Sequence, residues 1–278
     1  MADRLSPLLK RFDLNAHVFF SGALCGASEF SAAEGVGHLH LLRAGHLELL
    51  ASGGQQVMLT GPVAVLFPRP MNHRLTRPFD DGSELVCATI DFGHLIGNPL
   101  LTALPDRLVL QLEDLPELHG LIELLFAEAL SDLCGRQSVL DRLTEVLLIH
   151  MFRSVMDRGL IETGLFVGLA DQRLAKALTA VHEDPAYPWT LEALAQTTGM
   201  SRARFSAHFT ATVGIPAGEY LARWRLAVAQ SLLKKDLPVN LVADRSGYSS
   251  APSFSRAFSQ RVGLSPSEWK KRTTDPNA

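Results

Sequence analysis

Three patterns of apolar and polar positions divide the chain. Up to about residue 108, short apolar or β-branched runs (18–24, 38–42, 46–50, 57–59, 63–67 and 85–92) alternate with glycine and proline. Strands of this length at close spacing predict an antiparallel barrel or double-sheet jelly roll. Gly53-Gly54, between two such runs, is a hairpin signal because both residues tolerate positive φ. From about Asp114 the period changes. Leu118, Leu121, Ile122, Leu125 and Ala129 recur at three and four residues and predict one amphipathic helix. Leu140, Leu143, Val146, Leu147, His150, Met151 and Val155 or Ser154 predict a second, over about 138–158. Gly135 separates the two and Gly159 ends the second. This second helix either covers an open face of the β region or forms a two-fold dimer seam. The expected organisation is a β domain at 1–108, a helical linker or dimerisation segment at 109–165 and an all-α domain at 166–278.

A single arrangement occurs twice within the all-α region. A helix at about 171–182 stops before Pro185, which blocks continuation. Thr190 caps the next helix (190–197), Thr198-Gly199-Met200 makes a tight turn, and Ser201 caps a helix over 202–212 that stops at Gly214. Leu191, Leu194, Ala195, Phe205 and Phe209 form its buried face, with Ala195 small enough for two helices to cross closely. The second copy starts at Asp236-Leu237-Pro238, with proline in the first turn and Val239, Val242 and Ala243 inward. Gly247 is its turn, Ser250 its cap, 251–262 its second helix, Phe254 and Phe258 its aromatic pair, and Gly263 its stop. A helix over about 217–235, with Tyr220, Leu221, Trp224, Ala227, Val228 and Leu232 apolar, joins the units. These are two helix-turn-helix units, 190–214 and 238–263. A rigid joint would set their second helices about one DNA turn (~34 Å) apart on one face.

Charge supports this division. The 278 residues carry a formal net charge of −3, which by itself argues against a polyanionic partner. Residues 1–160 hold 12 basic and 19 acidic side chains, whereas residues 195–272 hold 12 and 4. The positive charge therefore sits on the paired helix-turn-helix region, as double-stranded DNA requires. An apolar content of 47% excludes intrinsic disorder. No apolar run approaches the ~18 residues that span a bilayer, and the charged N-terminus lacks a signal peptide's apolar core, so a cytoplasmic protein is expected. Three cysteines are too few for a disulfide framework.

The segment RSGYSSAPSFSRAFSQRVGLSPSEW (245–269) resembles the signature of AraC/XylS-type transcription regulators, and the resemblance extends over about 169–272. It implies a single two-headed DNA-binding domain, a transcription activator and RNA polymerase as partner. By match of position, the first reading helix presents Arg202, Ala203, Ser206 and Ala207, and the second Pro252, Ser253 and Arg256. The alanines can meet a thymine methyl but form no bidentate hydrogen bond, so base reading falls to Arg202, Ser206, Ser253 and Arg256. Arg204, the helix ends capped by Ser201 and Ser250, and Ser249 beside the second cap would serve the phosphate backbone. Arg256 has a competing use as a salt bridge between the units.

The N-terminal landmarks are LSPLLKRF near the start, LCG at 24–26, His40 with Gly45 after it, PVAVLFPRPMNHRL at 62–75 and NPLLTALPD at 98–106. They resemble a cupin-type sensor domain fused to this DNA-binding domain in one subgroup. Cupin enzymes hold a metal with His-x-His, a Glu four residues on and a later His. His38, His40 and His73 fit this, but Ala44 stands in the glutamate's place, so the enzymatic set is incomplete and no enzyme is expected. Cys25, His40, His73 and Cys87 fall on separate predicted strands that could face one cavity. They could form a tetrahedral zinc set, a redox sensor built on a thiolate beside a protonated histidine, or ordinary core. A small organic ligand in the barrel is the further alternative. His38 is the spare candidate, being two residues from His40 and on the same strand face. The subgroup includes reactive-chlorine-sensing regulators, with cysteines at places similar to Cys25 and Cys87. Cys134, between the two helices, reads as structural or incidental.

Overall fold

The computed structural model describes residues 3–12, 14–51, 53–93 and 98–274. The chain divides into two compact units. One is Leu14–Asp91 with Leu104–Arg158, and the other is Met1–Asp13 with Phe92–Ala103 and Gly159–Ala278. The strands are β1 (Asn15–Gly22), β2 (Ala27–Phe30), β3 (Gly37–Ala44), β4 (His46–Ala51), β5 (Gln56–Thr60), β6 (Val63–Phe67), β7 (His73–Thr76), β8 (Glu84–Asp91) and β9 (Leu108–Gln111). The helices are α1 (Ser6–Leu9), α2 (Pro99–Ala103), α3 (His119–Ala129), α4 (Arg136–Arg158), α5 (Leu165–Ala170) and α6 (Leu174–Glu183). They continue with α7 (Leu191–Thr198), α8 (Arg202–Val213), α9 (Ala217–Lys234), α10 (Val239–Arg245), α11 (Ala251–Val262) and α12 (Pro266–Thr274). None is long and apolar enough to cross a membrane among the described residues.

The first unit is a two-sheet sandwich with sheet orders β1-β8-β3-β6-β9 and β2-β7-β4-β5. Its core joins Leu42, Val65 and Leu85 of one sheet to Leu47, Leu49 and Leu75 of the other. Each such side chain contributes about 1.5–3 kcal/mol on full burial. The hairpin expected at Gly53-Gly54 joins β4 to β5, with φ of 95° and 77°. Strands β2 and β9, four residues each, escaped the sequence reading because so short a run shows no alternation.

Helix α4 settles the choice between cover and seam for most of its stripe. Leu140, Leu147, Met151, Ser154 and Val155 are buried within this unit, leaving Val146 at 43% exposure. The first turns of α4 are tied to β1 at a register shift between Val18 and Phe20. There the Val18 N–H donates to Asp141 Oδ1 (2.9 Å) and Gln137 Nε2 donates to the Val18 carbonyl (2.8 Å). A bulged strand leaves backbone groups unpaired, and α4 satisfies them.

The expected domain boundaries need correction. A cut at 108 passes through β9, and 109–165 is no separate linker, since α3 and α4 belong to the sandwich unit. The first thirteen residues and 92–103 group instead with the C-terminal helices. The reason is apolar burial: Leu8 of α1 is fully buried, and Phe12 meets Trp224 edge-on with ring centroids 5.4 Å apart.

Among the described residues the second unit is built of helices joined by turns. Its axis is α9, which buries Tyr220, Leu221, Trp224, Ala227, Val228 and, in place of the expected Leu232, Leu233. His182 of α6 packs against the Trp224 ring at 4.2 Å and shares a 2.6 Å hydrogen bond with the Tyr220 hydroxyl. Burial, with the Arg11 charge adding to it, holds His182 neutral and lowers its pKa to about 3.

Candidate functional site

In the first helix-turn-helix, Thr190 Oγ1 accepts from the Ala193 N–H at 3.1 Å, which fixes the start of α7. Gly199 turns the chain at φ 65°, and Ser201 Oγ accepts from the Arg204 N–H (3.4 Å) to open α8. Phe205 and Phe209, 5.5 Å apart, point inward together with Ala195. The second unit repeats the turn, the serine cap and the aromatic pair. Gly247 has φ 83°, Ser250 Oγ accepts from the Ser253 N–H (3.3 Å), and Phe254 and Phe258 lie buried 5.4 Å apart. Pro238 differs from expectation. It is the N-cap of α10, not a residue of its first turn.

With the phenylalanines inward, helical geometry turns the other face out. Ser201, Arg202, Ala203, Arg204 and Ala207 are exposed and Ser206 is half-buried. In the second unit Ser249, Ser250, Pro252 and Arg256 are exposed and Ser253 is half-buried. Among the described residues Arg256 forms no ion pair, so its competing use as a bridge is not realised. Arg261 instead ties the second unit to the joining helix: its guanidinium donates to both carboxylate oxygens of Glu219 on α9 at 2.9 and 2.8 Å. Arg223 Nε donates to the same carboxylate, and the two arginines hold Glu219 down to about pKa 2. The sequence reading missed this tie, because 42 residues separate the partners.

In the sandwich unit, three of the expected sensor residues come together and one does not. His40 on β3 is paired in register with Cys87 on β8, and β7 of the facing sheet brings His73 to meet it. The polar atoms form a chain. His40 Nδ1 lies 3.1 Å from Cys87 Sγ, His40 Nε2 lies 2.8 Å from His73 Nε2, and His73 Nδ1 lies 2.8 Å from the Met71 carbonyl. The carbonyl only accepts, so His73 Nδ1 carries a proton, and with neutral rings every later proton follows. His73 Nε2 accepts from His40 Nε2–H, and His40 Nδ1 accepts from the Cys87 thiol. The rings are neutral because they are buried. Burial, with the His73 and His38 charges adding to it, holds His40 well below its ordinary value, and burial takes His73 down to about 4. Phe67 and Phe30 stack on the two sides of His73 at 4.0 and 4.7 Å. These aromatic walls carried no signal beyond hydrophobicity in the sequence.

This geometry corrects two expectations. Cys25 lies exposed between β1 and β2, outside the cluster. Cys87 and His73 engage opposite ring nitrogens of His40, whose lone pairs diverge, so these three groups cannot share one metal ion as they stand. Among the described residues no three His, Cys, Asp or Glu side chains are arranged to hold a metal. Nor does Cys87 sit as a thiolate beside an imidazolium. Burial pushes its thiol up, and its partner His40 is neutral. His38 is buried without a hydrogen bond to either ring nitrogen; its Nε2 is 3.4 Å from Glu34 Oε2 without bonding geometry. A cleft of about 400 Å³ lies beside the chain, lined by Phe30, Ser31, Leu50, Asn72, His73 and Arg74 among others. Cys134 is exposed between α3 and α4.

The profile of the cupin family matches residues 3–157, and that of a helix-turn-helix domain matches 194–272. The chain is 38% identical over 174 residues to an uncharacterized HTH-type transcriptional regulator of Haemophilus influenzae, covering 62% of this chain and 58% of that one. It is 28% identical over 209 residues to RclR of Escherichia coli, an RCS-specific HTH-type transcriptional activator, covering 72% of each. A solved structure of ToxT from Vibrio cholerae aligns at TM-score 0.42 and 16% identity, over 95% of this chain and 99% of that one. The chain spans about half the length of several curated relatives it matches, among them a putative AraC-like transcription regulator of Streptomyces antibioticus (38% identical, 48% of this chain, 45% of that one).

Proposed function

The chain belongs to the cupin family with a helix-turn-helix domain of the AraC type behind it, and from this premise we propose that it is a sequence-specific DNA-binding transcription regulator. The observation that carries the reading is the matched pair α8 and α11. Each is capped by serine, turns its phenylalanines inward and leaves a polar N-terminal half exposed, and α9 holds both within one unit. Arg202, Ser206, Ser253 and Arg256 read bases, and Arg204 with the capped helix ends binds phosphate. The unpaired Arg256 is the decisive test. Arg256→Ala is expected to weaken binding to the target site by about 1–3 kcal/mol and to relax one base position. The same affinity and the same footprint as the parent would remove α11 from the interface.

The sensing side of the proposal rests on the Cys87–His40–His73 chain and the cleft beside it. Hypochlorous acid would oxidise the Cys87 sulfur by two electrons to the sulfenic acid. The sulfur takes the hydroxyl, chloride leaves, and the thiol proton passes to His40 Nδ1. That charges a buried imidazole and replaces the thiol–imidazole hydrogen bond between β3 and β8. Cys87→Ser is expected to abolish a reporter's response to hypochlorite. An unchanged response would overturn the oxidant reading and favour a small organic ligand in the cleft of about 400 Å³ at His73. The exposed Val139 and Val146 of α4 are the apolar positions available to a homodimer. RNA polymerase completes the partners, as the family resemblance implies.

A further inference from the structure

The face of α8 that turns toward neither the core nor the expected groove carries Arg204 and His208, four residues apart and therefore on one flank. This flank borders a cleft of about 330 Å³ whose other wall is the start of α6, with Asp171, Gln172 and Arg173, and whose edge is Met200. Asp171 is the one acidic group among the described residues that line it, and its carboxylate is already engaged. Oδ2 is 2.7 Å from His208 Nε2, and Oδ1 accepts from the Arg173 and Leu174 N–H groups at 2.8 Å each. Arg173 and Arg204 are both exposed, and neither forms an ion pair among the described residues. The cleft thus holds two guanidinium groups, neither of them paired with its one carboxylate, which is engaged by His208 and two backbone N–H groups.

We propose that this cleft seats a backbone phosphate of the bound DNA duplex, gripped by Arg204 from the reading helix and by Arg173 from the start of α6. This would extend the DNA interface beyond the two helix-turn-helix motifs, to the start of α6. The inference rests on the reading of α8 as a DNA-contacting helix. Three features choose the occupant. The site is continuous with α8, its free charges are both positive, and the planar guanidinium fork matches a phosphate's oxygens. The His208–Asp171 pair has a positioning role, since it joins the two walls that carry the arginines. Such a seat fixes where the protein lies on the duplex and conveys no base preference.

The test uses the full chain and measures affinity against salt concentration, on the target duplex and on an unrelated duplex of equal length. Arg173→Ala is expected to weaken both about three- to tenfold, in equal ratio, and to lower the magnitude of the log–log salt slope by about 0.9, the value for one phosphate contact. The footprint should be unchanged, and Arg173→Lys should keep most of the slope because the charge remains. An Arg173→Ala protein with the parent's slope and affinity would overturn the proposal. So would an altered base preference, or an Arg173→Lys protein as weak as the alanine variant. A parent protein with no sequence-specific footprint would instead overturn the base-reading proposal, while its slope on unrelated DNA would still report on Arg173.

Discussion

The two helix-turn-helix units share a sequence pattern and differ in what surrounds it. Both turn glycines adopt positive φ, 65° at Gly199 and 83° at Gly247. A Cβ at Gly199 would meet open space, whereas at Gly247 it would fall 2.5 Å from the Pro185 carbonyl oxygen and 2.7 Å from Arg225 Nε. Arg225 is itself committed there, donating to the Pro185 and Tyr187 carbonyls at 2.9 and 2.7 Å. The reading helices are also held differently. Helix α8 is tied through His208 to Asp171, and α11 through Arg261 to Glu219, with Trp269 of α12 against Phe258 at 5.9 Å. A shared motif thus meets two sets of neighbours, and the cost of changing matching residues should differ accordingly.

The largest expected effect at neutral pH follows from the glycines. Gly247→Ala combines the left-handed backbone cost with a steric clash against backbone and a committed guanidinium, and should lose about 3–4 kcal/mol in urea unfolding. Gly199→Ala should lose only the backbone contribution, about 1–2 kcal/mol. Equal losses at the two positions would show that the crowding at Gly247 relaxes freely. Acid should act next, through His182. Its folded pKa of about 3 lies below the ordinary 6.5, so its contribution is complete above pH 6.5 and is lost as pH falls toward 3. The parent should lose up to about 1.4 kcal/mol per pH unit more than a His182→Phe variant in that window. Identical slopes would mean that His182 does not stay neutral. Glu219, held at about 2 against an ordinary 4.5, keeps its tie in the folded protein to about pH 2, so the stability it contributes is complete above 4.5 and is lost as pH falls from there toward 2. The smallest effect is the one on which the units should agree. Ser201→Ala and Ser250→Ala should each cost about 1 kcal/mol in thermal unfolding. A marked difference would mean that one cap also serves packing.

Much of this was legible along the chain. Gly199 and Gly247, the serine caps and the phenylalanine pairs act within one turn of helix, so their spacing alone marks the units. The hairpin at Gly53-Gly54 and the core of β3, β6 and β8 were legible for the same local reason. The sensor cluster was half legible. His40 and Cys87 are register partners, but Cys25 left the set because, between β1 and β2, Leu24 takes the buried place and leaves its neighbour Cys25 exposed. The thiolate expectation failed because it considered neighbouring charge without burial, and burial is a property of the folded sheets.

The sequence by itself therefore determined the double helix-turn-helix, an antiparallel β domain in front of it and the separation of acidic from basic halves, all of which follow from local periodicity and composition. Only the tertiary structure decided which groups meet across long stretches of chain. It put His73 on His40, Arg261 on Glu219 and the first thirteen residues against the helical unit. It also decided protonation, since a side chain's charge at neutral pH depends on the water and partners that the fold leaves it.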